Sequence, residues 1–183
     1  MLWLIAGLGN PGLPYAGNRH NVGFMVLDEL ARRAGSHFTT KFKSDFARTR
    51  IADKDIILLK PTTYMNRSGV GVGLAASFFK IPVSNVVVVH DELDHAFGRV
   101  QVKVGGGHAG HNGLRSIFEH FHKDFARIRC GIGRPQHGSV SNYVLSDFSR
   151  DESTELDGFV DRAANGAESI IRHGAKQAMN ELN

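Results

Sequence analysis

The stretch NVVVVHDELD, Asn85 to Asp94, places four consecutive valines directly before a cluster of polar and acidic residues. A short run that is apolar at every position predicts a strand buried on both faces, which is typical of parallel sheets in α/β proteins. RVQVKV (99–104) alternates instead, so one of its faces is expected to be wetter. The other strand-like runs are at 2–7, 46–52, 55–60 and 126–133.

Helical periodicity separates these strands. It covers 22–35, 66–81 and 112–122, and a long amphipathic stretch from Asp151 to Leu182 closes the chain. Strands interleaved with helices predict an α/β fold, here a single-domain sandwich over 1–183 with a mixed, twisted β-sheet flanked by helices. The sequence contains no internal repeat, low-complexity tract or linker that would divide it.

Composition narrows the class of protein. The 183 residues are 42% hydrophobic, enough for one sizeable core. No stretch approaches the roughly 20 apolar residues of a membrane span, so no membrane association is expected. The strand-like run begins at Leu2, so no signal or transit peptide is expected. The single cysteine, Cys130, cannot form an internal disulfide and fits a reducing compartment. We therefore expect a cytoplasmic protein, and a monomer.

Charge is unevenly distributed along the chain. Residues 1–150 contain 19 Lys and Arg against 11 Asp and Glu, whereas residues 151–183 contain 3 against 7. A basic body with an acidic C-terminal segment is compatible with a polyanionic partner such as nucleic acid. Ordinary surface solubility would produce the same asymmetry.

The segment GLGNPGLPYAGNRHN, Gly7 to Asn21, contains a G-x-G-x-x-G pattern after the first strand. A dinucleotide site needs a helix that opens on the third glycine and an acidic residue at the end of the second strand. Prolines follow instead, helical periodicity begins only near Asn21, and the acidic candidates Asp28 and Glu29 fall inside that helix. The glycines are therefore expected to shape a tight exit from the strand.

Three further loops are rich in polar residues: KPTTYMNRSG (60–69), HDELD (90–94) and GGGHAGHNG (105–113). The first opens a predicted helix at Asn66, where Asn66 or Thr63 could serve only as a helix cap. The second follows a buried strand, the position where α/β sheets place their sites. The third lacks the Lys-Ser/Thr of a nucleoside triphosphate loop.

Two kinds of chemistry fit these loops. A metal site is one, with candidate ligands His90, Asp91, Asp94, His95, His108 and His111. No pair of these has the H-E-x-x-H spacing, however, and the glycines around His108 suggest mobility. Metal-free hydrolysis is the other, with a histidine base held by a carboxylate and amides that position an acyl group. We favour the second interpretation and expect no metal or cofactor.

Four of these motifs, in order and spacing, resemble the bacterial peptidyl-tRNA hydrolases: GLGNPG-x-x-Y with RHN-x-G, KPTTYMN-x-SG, HDELD, and GGGH-x-GHNGLRSI. RIRCGIGRP and the closing GAKQAMNELN match too, so the resemblance covers nearly the whole chain. Asn18 stands where the family usually has Thr, and His95-Ala96-Phe97 replaces a Leu-Pro-Pro-like turn. Neither departure falls on a catalytic position of the family.

The resemblance implies a hydrolase that cleaves the ester between a peptide and the 3′-terminal ribose of tRNA, and so recycles tRNA from prematurely released peptidyl-tRNA. It implies that His20 is the general base, that Asp91 holds the basic form of its ring, and that Asn10 distinguishes a blocked from a free amino group. A histidine with a pKa near its usual value of about 6.5 is largely neutral at cytosolic pH and can accept a proton from water. His20 is the only histidine that the motifs couple to a carboxylate.

Substrate contacts are implied for a second group of residues. Asn66 and Asn112 would bind the peptidyl end, with His111 supporting the site from beside Asn112. Tyr15 and Tyr64 would line the cleft for the 3′ end of the acceptor stem, and Lys103 and Arg129 would grip the 5′-phosphate. An asparagine amide carries both a donor and an acceptor and can read main-chain groups while ignoring side chains. The alternative function is a non-catalytic RNA-binding module, the splicing role attributed to some plant organellar homologues.

Overall fold

The computed structural model describes residues 1–183. Its strands are β1 (Leu2–Gly7), β2 (Thr39–Lys41), β3 (Ser44–Ile51), β4 (Lys54–Pro61), β5 (Val86–Glu92), β6 (Val100–Val104) and β7 (Ala126–Gly131). Its helices are α1 (Val22–Arg33), α2 (Ser68–Phe79), α3 (Asn112–His120), α4 (Val140–Val144), α5 (Arg150–His173) and α6 (Ala175–Leu182). None of these helices is long and apolar enough to span a bilayer.

All seven strands belong to one sheet, in the order β2-β3-β4-β1-β5-β7-β6. The centre is parallel, since β1 pairs with β4 and β5 in that sense and β5 pairs with β7 likewise. The edges are antiparallel, through β2 with β3, β3 with β4, and β6 with β7. This confirms the predicted α/β fold with a mixed sheet.

Helices cover both faces of the sheet, and β5 shows why its valines are continuous. Val87 and Val89 are wholly buried in the core beneath α1 and α5, and Val86 and Val88 are wholly buried in the core beneath α2 and α3. Successive side chains of a strand point to opposite faces, so a strand covered on both sides has no position for a polar residue. Polar residues appear only where β5 ends, at its carboxyl edge.

The glycines after β1 are required by close packing. A Cβ at Gly23 in α1 would lie 2.5 Å from the backbone nitrogen of Leu8 and from the carbonyl oxygen of Val89. A Cβ at Gly9 would lie 2.7 Å from the ring of Phe24. Only a three-residue 3₁₀ turn, Leu13–Tyr15, follows the third glycine, Gly12, and the first α-helix starts at Val22. The segment therefore serves as a tight strand exit, as the sequence predicted, and not as a phosphate-binding turn.

Several element boundaries differ from the sequence prediction. The predicted helix at 151–182 is two helices, because the backbone at Gly174 has φ of 87° and cannot continue the first one. The helix predicted from Asn66 starts at Ser68, after a 3₁₀ turn at Met65–Arg67. The short elements β2 and α4 were not predicted, since three exposed polar residues and a five-residue helix leave no periodic apolar pattern.

Candidate active site

Four segments meet at the carboxyl edge of the parallel strands. They are the loop after β1, the turn after β4, the end of β5, and the start of α3, which follows the glycine-rich loop. A cavity of about 560 Å³ opens there, and its wall includes His20, Asp91, His111 and Asn112. Lys103 and Arg129, the two cations predicted to bind the 5′-phosphate, line the same cavity. Four other predicted site residues lie outside its wall: Asn10, Tyr15, Tyr64 and Asn66.

Asp91 is the centre of the site, with only 3% of its surface exposed. Its Oδ2 lies 2.7 Å from Nδ1 of His20, and its Oδ1 lies 2.7 Å from Nε2 of His111. Burial alone would raise the pKa of Asp91, but the two histidines outweigh it and hold that pKa well below its usual range. Asp91 is therefore an ionised acceptor for both rings at neutral pH.

His111 is bound in a way that fixes its tautomer. Its Nδ1 accepts the backbone N–H groups of Gly113 and Leu114, at 3.1 and 3.2 Å, and so caps the N-terminus of α3. An acceptor nitrogen carries no proton, so the ring proton of neutral His111 sits on Nε2 and is donated to Asp91. From the sequence motifs we paired only His20 with a carboxylate. This prediction was wrong, because His20 and His111 both bind Asp91.

His20 donates its Nδ1 proton to the remaining oxygen of Asp91, which leaves a lone pair on Nε2. Nε2 has no hydrogen-bond partner within the protein, and the ring lines the cavity. Burial lowers the pKa of His20, but the charge and hydrogen bond of Asp91 more than compensate, and the net pKa is raised above 6.5. The ring is thus a strengthened base with its free nitrogen unblocked by protein.

Asn10 is held from two directions. Its Oδ1 accepts the backbone N–H of Met65 at 2.7 Å. Its backbone N–H and C=O pair with the side-chain amide of Asn21, each at 2.9 Å. These bonds fix the orientation of the Asn10 amide and leave its Nδ2 without a protein partner. Asn21, which is 2% exposed, was missed as a site residue although it lies within the RHN motif.

The other two asparagines are exposed and largely unengaged. The side chain of Asn66 makes no hydrogen bond and does not cap α2, whose first turn has no side-chain cap. Thr63 does not cap it either, because its hydroxyl donates to the carbonyl of Arg67 at 2.8 Å. Asn112 begins α3 and accepts only a long contact of 3.4 Å from Arg115. Both amides are available to a ligand.

The two tyrosines form a pair beside this region. Their rings meet edge to face with centroids 6.2 Å apart. Tyr64 is 54% exposed and its backbone has φ of 66°, a left-handed conformation that L side chains rarely adopt. Such backbone strain concentrates at functional sites. Tyr64 thus presents an aromatic face to solvent next to Asn66.

Lys103 and Arg129 point to the same face of the sheet. The register pairs Lys103 with Arg127 and Gln101 with Arg129, so all four side chains share one side. Arg129 is not a free cation, however, since it donates from Nε and an NH2 group to Glu92, at 2.8 and 2.6 Å. Lys103 has no such partner. The sequence could not predict the pairing of Arg129 with Glu92, because these residues come together only when β5 and β7 pair in the sheet.

Two further cations, not predicted as primary site residues, line the cavity. Arg127 donates to the carbonyl oxygens of Gly106 and Gly107, at 2.8 and 2.6 Å, and so secures the glycine-rich loop. Arg134 pairs with Asp94 at 2.7 Å. Of the four cations in the wall, Lys103 is the one with neither a hydrogen bond nor an ion pair to the protein.

The arrangement of His20, Asp91 and His111 would also suit a metal ion by distance, since their ligand atoms lie within 4.8 Å of one another. The hydrogen bonds favour a proton-based role. The nitrogens of His20 and His111 that face Asp91 are donors, and a metal between them would have to displace both protons. The opposite nitrogen of His111 is occupied by the cap of α3.

Comparison with known proteins identifies the family of the chain. The family model described as peptidyl-tRNA hydrolase matches residues 4–183. The chain is 48% identical to peptidyl-tRNA hydrolase of Streptomyces coelicolor, over 99% of this chain and 94% of the relative. It is also 48% identical to that of Geobacter sulfurreducens, over 98% and 94%. The crystal structure of peptidyl-tRNA hydrolase from Acinetobacter baumannii superposes with a TM-score of 0.94 at 40% identity, covering 100% of this chain and 94% of that one.

Proposed function

The chain belongs to the peptidyl-tRNA hydrolase family and is a carboxylic ester hydrolase whose substrate is peptidyl-tRNA, and from this premise we propose that His20 is its general base. In this proposal Nε2 of His20 removes a proton from a water molecule, and the water attacks the carbonyl carbon that joins the peptide to the 3′-terminal ribose. The ester C–O bond then breaks, the ribose oxygen takes up the proton from the imidazolium of His20 and leaves as a hydroxyl, and the peptide acid, which ionises to the carboxylate, separates from free tRNA. This recycles tRNA from prematurely released peptidyl-tRNA.

One observation carries the proposal: both oxygens of Asp91 are occupied by histidine N–H groups. The bond to Nδ1 of His20 directs the free lone pair of that ring away from Asp91. When Nε2 takes the proton, the buried carboxylate stabilises the imidazolium that forms. His111, held in one tautomer by α3, keeps Asp91 from turning away. A base of this kind typically contributes about 10²–10⁴-fold in rate.

Peptide recognition is proposed for the three asparagines. The fixed amide of Asn10 offers Nδ2 as a donor, and the exposed amides of Asn66 and Asn112 offer both donors and acceptors. Such groups can bind the main chain of any nascent peptide. Tyr15 and Tyr64 would receive the 3′ end of the tRNA, with the exposed ring of Tyr64 available for stacking on a base.

Replacing Asn10 by alanine is expected to narrow the difference in kcat/KM between N-blocked and free aminoacyl-tRNA. The physical reason is that the fixed Nδ2 donor would be lost beside the peptide's amino end. The measurement uses one aminoacyl-tRNA with and without N-acetylation, and Asn142→Ala, an exposed change in α4, is the control. An unaltered ratio for Asn10→Ala would remove this residue from discrimination.

Lys103 is proposed to bind the 5′-phosphate of tRNA, with Arg129 beside it. A charge-assisted hydrogen bond is worth about 1.5–3 kcal/mol, or about one to two decades in kcat/KM. We expect Lys103→Ala to lose that much of the preference for a 5′-phosphorylated substrate over its dephosphorylated form. Arg129→Ala should also weaken it, because Glu92 would be left as an unpaired anion near the phosphate.

The control for charge is Lys176→Ala, which removes the same charge from an exposed position on α6. The parent and this control should both prefer the phosphorylated substrate, and the preference should weaken with salt. If Lys103→Ala and Arg129→Ala each retain the full preference, another cation binds the phosphate, and Arg134 is the next to test.

The proposal further assigns the enzyme to the cytoplasm as a monomer that works on the acceptor stem of its substrate. The lone cysteine is buried and free, which suits a reducing compartment. A non-catalytic RNA-binding role is disfavoured by the pairing of His20 with Asp91, which RNA binding alone does not require. Release of peptide from peptidyl-tRNA by the purified protein, unchanged by a chelator, is the test that separates hydrolase, binding module and metalloenzyme.

A further inference from the structure

Arg19 directly precedes His20 and is only 8% exposed. It lies in the 3₁₀ turn Arg19–Asn21, between the loop after β1 and helix α1. Arginine is almost never buried unless its charge is paired. The partners of Arg19 therefore indicate what this side chain does beside the proposed base.

All of those partners lie within residues 143–152, the α4–α5 segment, which runs from the end of α4 to the first turn of α5. The guanidinium donates to Oε1 of Glu152 at 2.8 Å and to the hydroxyl of Ser146 at 2.5 Å. Its carbon lies 4.2 Å from the ring centroid of Tyr143, in a cation–π contact. The backbone N–H of Arg19 donates to the carbonyl of Ser146 at 3.0 Å. One side chain thus binds three residues that are more than a hundred positions away in sequence.

The attachment extends beyond the guanidinium. Asn18 forms an isolated antiparallel bridge with Asp147 and donates its amide to that carboxylate at 2.9 Å. Oε1 of Glu152 also accepts the backbone N–H of Ser149, at 2.8 Å, in the capping box of α5. The carboxylate that helps to start α5 therefore also holds the residue before His20.

This segment also supports a wall of the active-site cavity. Val140, Ser141 and Val144 of α4 line the same cavity as the end of β5. His20 is consequently fixed from two sides, by its own bond to Asp91 and through Arg19 by the α4–α5 segment. Neither attachment involves the substrate contacts proposed above.

We propose that Arg19 is a positioning residue for the hydrolysis: its bonds to Ser146 and Glu152 set the ring of His20 against Asp91 and keep α4 in place over the cavity. Arg19 does not touch the substrate and acts only through His20 and α4. The inference rests on the proposed role of His20 as base. It predicts that loosening the Arg19 contacts lowers the rate of the chemical step while substrate binding is largely retained.

The test compares Arg19→Ala, Arg19→Lys and Glu152→Gln with a matched control. Glutamine also serves at the third position of a capping box, so Glu152→Gln removes the charge that faces Arg19 and keeps the cap of α5. Asp151→Asn makes the same change of charge on the exposed neighbour in that turn. Circular dichroism melting first establishes that each variant is folded at the assay temperature.

We expect Arg19→Ala to lower kcat by about 10- to 100-fold, because a small misplacement of a reacting group costs rates of that order. KM should change little. Arg19→Lys and Glu152→Gln should lower kcat less, and Asp151→Asn should not lower it. Added methylguanidinium should partly restore kcat to Arg19→Ala. The acid limb of kcat/KM should move to lower pH, since the contact with Asp91 that raises the pKa of His20 is loosened.

The proposal is overturned if folded Arg19→Lys and Glu152→Gln both keep the kcat and the pH profile of the parent, whether or not Arg19→Ala folds. It is also overturned if only KM changes, because Arg19 would then act on binding. His20→Ala, assayed alongside, separates the proposed role of Arg19 from the proposed role of His20 as the base. Loss of activity in His20→Ala with normal Arg19 and Glu152 variants rejects the positioning role alone, whereas an active His20→Ala rejects the proposed base itself.

Discussion

Replacing His20 by alanine is expected to lower kcat for hydrolysis of peptidyl-tRNA by about 10²–10⁴-fold, the range that a general base typically contributes. The variant keeps Asp91 bound to His111 and retains the cations and amides of the cleft, so its fold and its affinity for tRNA should be nearly those of the parent. Single-turnover rates and equilibrium binding of tRNA, measured on the same preparation, separate the two quantities.

His122→Ala is the matched control, because it removes a surface imidazole that is 46% exposed and outside the cavity wall. It should hydrolyse substrate at the rate of the parent. A rate for His20→Ala within tenfold of the parent would remove His20 from the role of base, and a loss of tRNA affinity of the same size as the loss in rate would make it a substrate ligand.

Asp91→Asn is expected to have the second largest effect, a loss of about 10²-fold or more in kcat. The amide nitrogen can only donate, so one of the two histidine N–H groups would face a donor instead of an acceptor. His111 cannot easily reverse its tautomer, because its Nδ1 caps α3. We therefore expect the substitution to change the orientation or tautomer of the His20 ring, and with it the direction of its free nitrogen.

The pH dependence of the same variant has a definite sign. Protonated His20 cannot accept a proton, so activity is lost as pH falls through the pKa of that ring. In the parent this pKa is raised above 6.5, since Asp91 outweighs burial. Without the carboxylate only burial remains to shift the pKa, and the acid limb of kcat/KM should move to lower pH. Asp55→Asn is the control, because Asp55 lies at the start of β4, the end of that strand away from the active site. It should leave both the rate and the pH profile of hydrolysis unchanged. A change in KM alone would instead make Asp91 a substrate ligand.

The parts of the fold that local pattern determines were predictable from the sequence. Four valines in succession before HDELD indicated a strand buried on both faces, and β5 sends alternate valines into the two cores. The failure of the glycine pattern as a dinucleotide site was likewise visible, because Pro11 and Pro14 delay the helix to Val22. Short elements such as α4 carry no periodic signal, and the break at Gly174 depends on a backbone angle that composition alone does not specify.

The individual residues of the candidate site were predictable from the sequence, but the hydrogen bonds and ion pairs between them were not. The motifs indicated His20, Asp91 and His111, yet the double use of Asp91 depends on the N-terminus of α3 meeting the end of β5. Pairing of Arg129 with Glu92 depends on strand register between distant segments. No role was predicted for Arg19, because its partner Glu152 lies 133 positions away in the sequence. Contacts between residues so far apart in the sequence depend on the topology of the fold, which local sequence patterns do not determine.

The proposed mechanism requires that neutral His20 carries its proton on Nδ1, toward Asp91, and offers Nε2 to water. Heteronuclear NMR of the imidazole nitrogens, followed through a pH titration of the parent, measures this directly. We expect a protonated Nδ1 and an unprotonated Nε2 in neutral His20, with a pKa above 6.5 that coincides with the acid limb of kcat/KM. A neutral ring with its proton on Nε2, or a titration of His20 that does not coincide with the loss of activity, would contradict it.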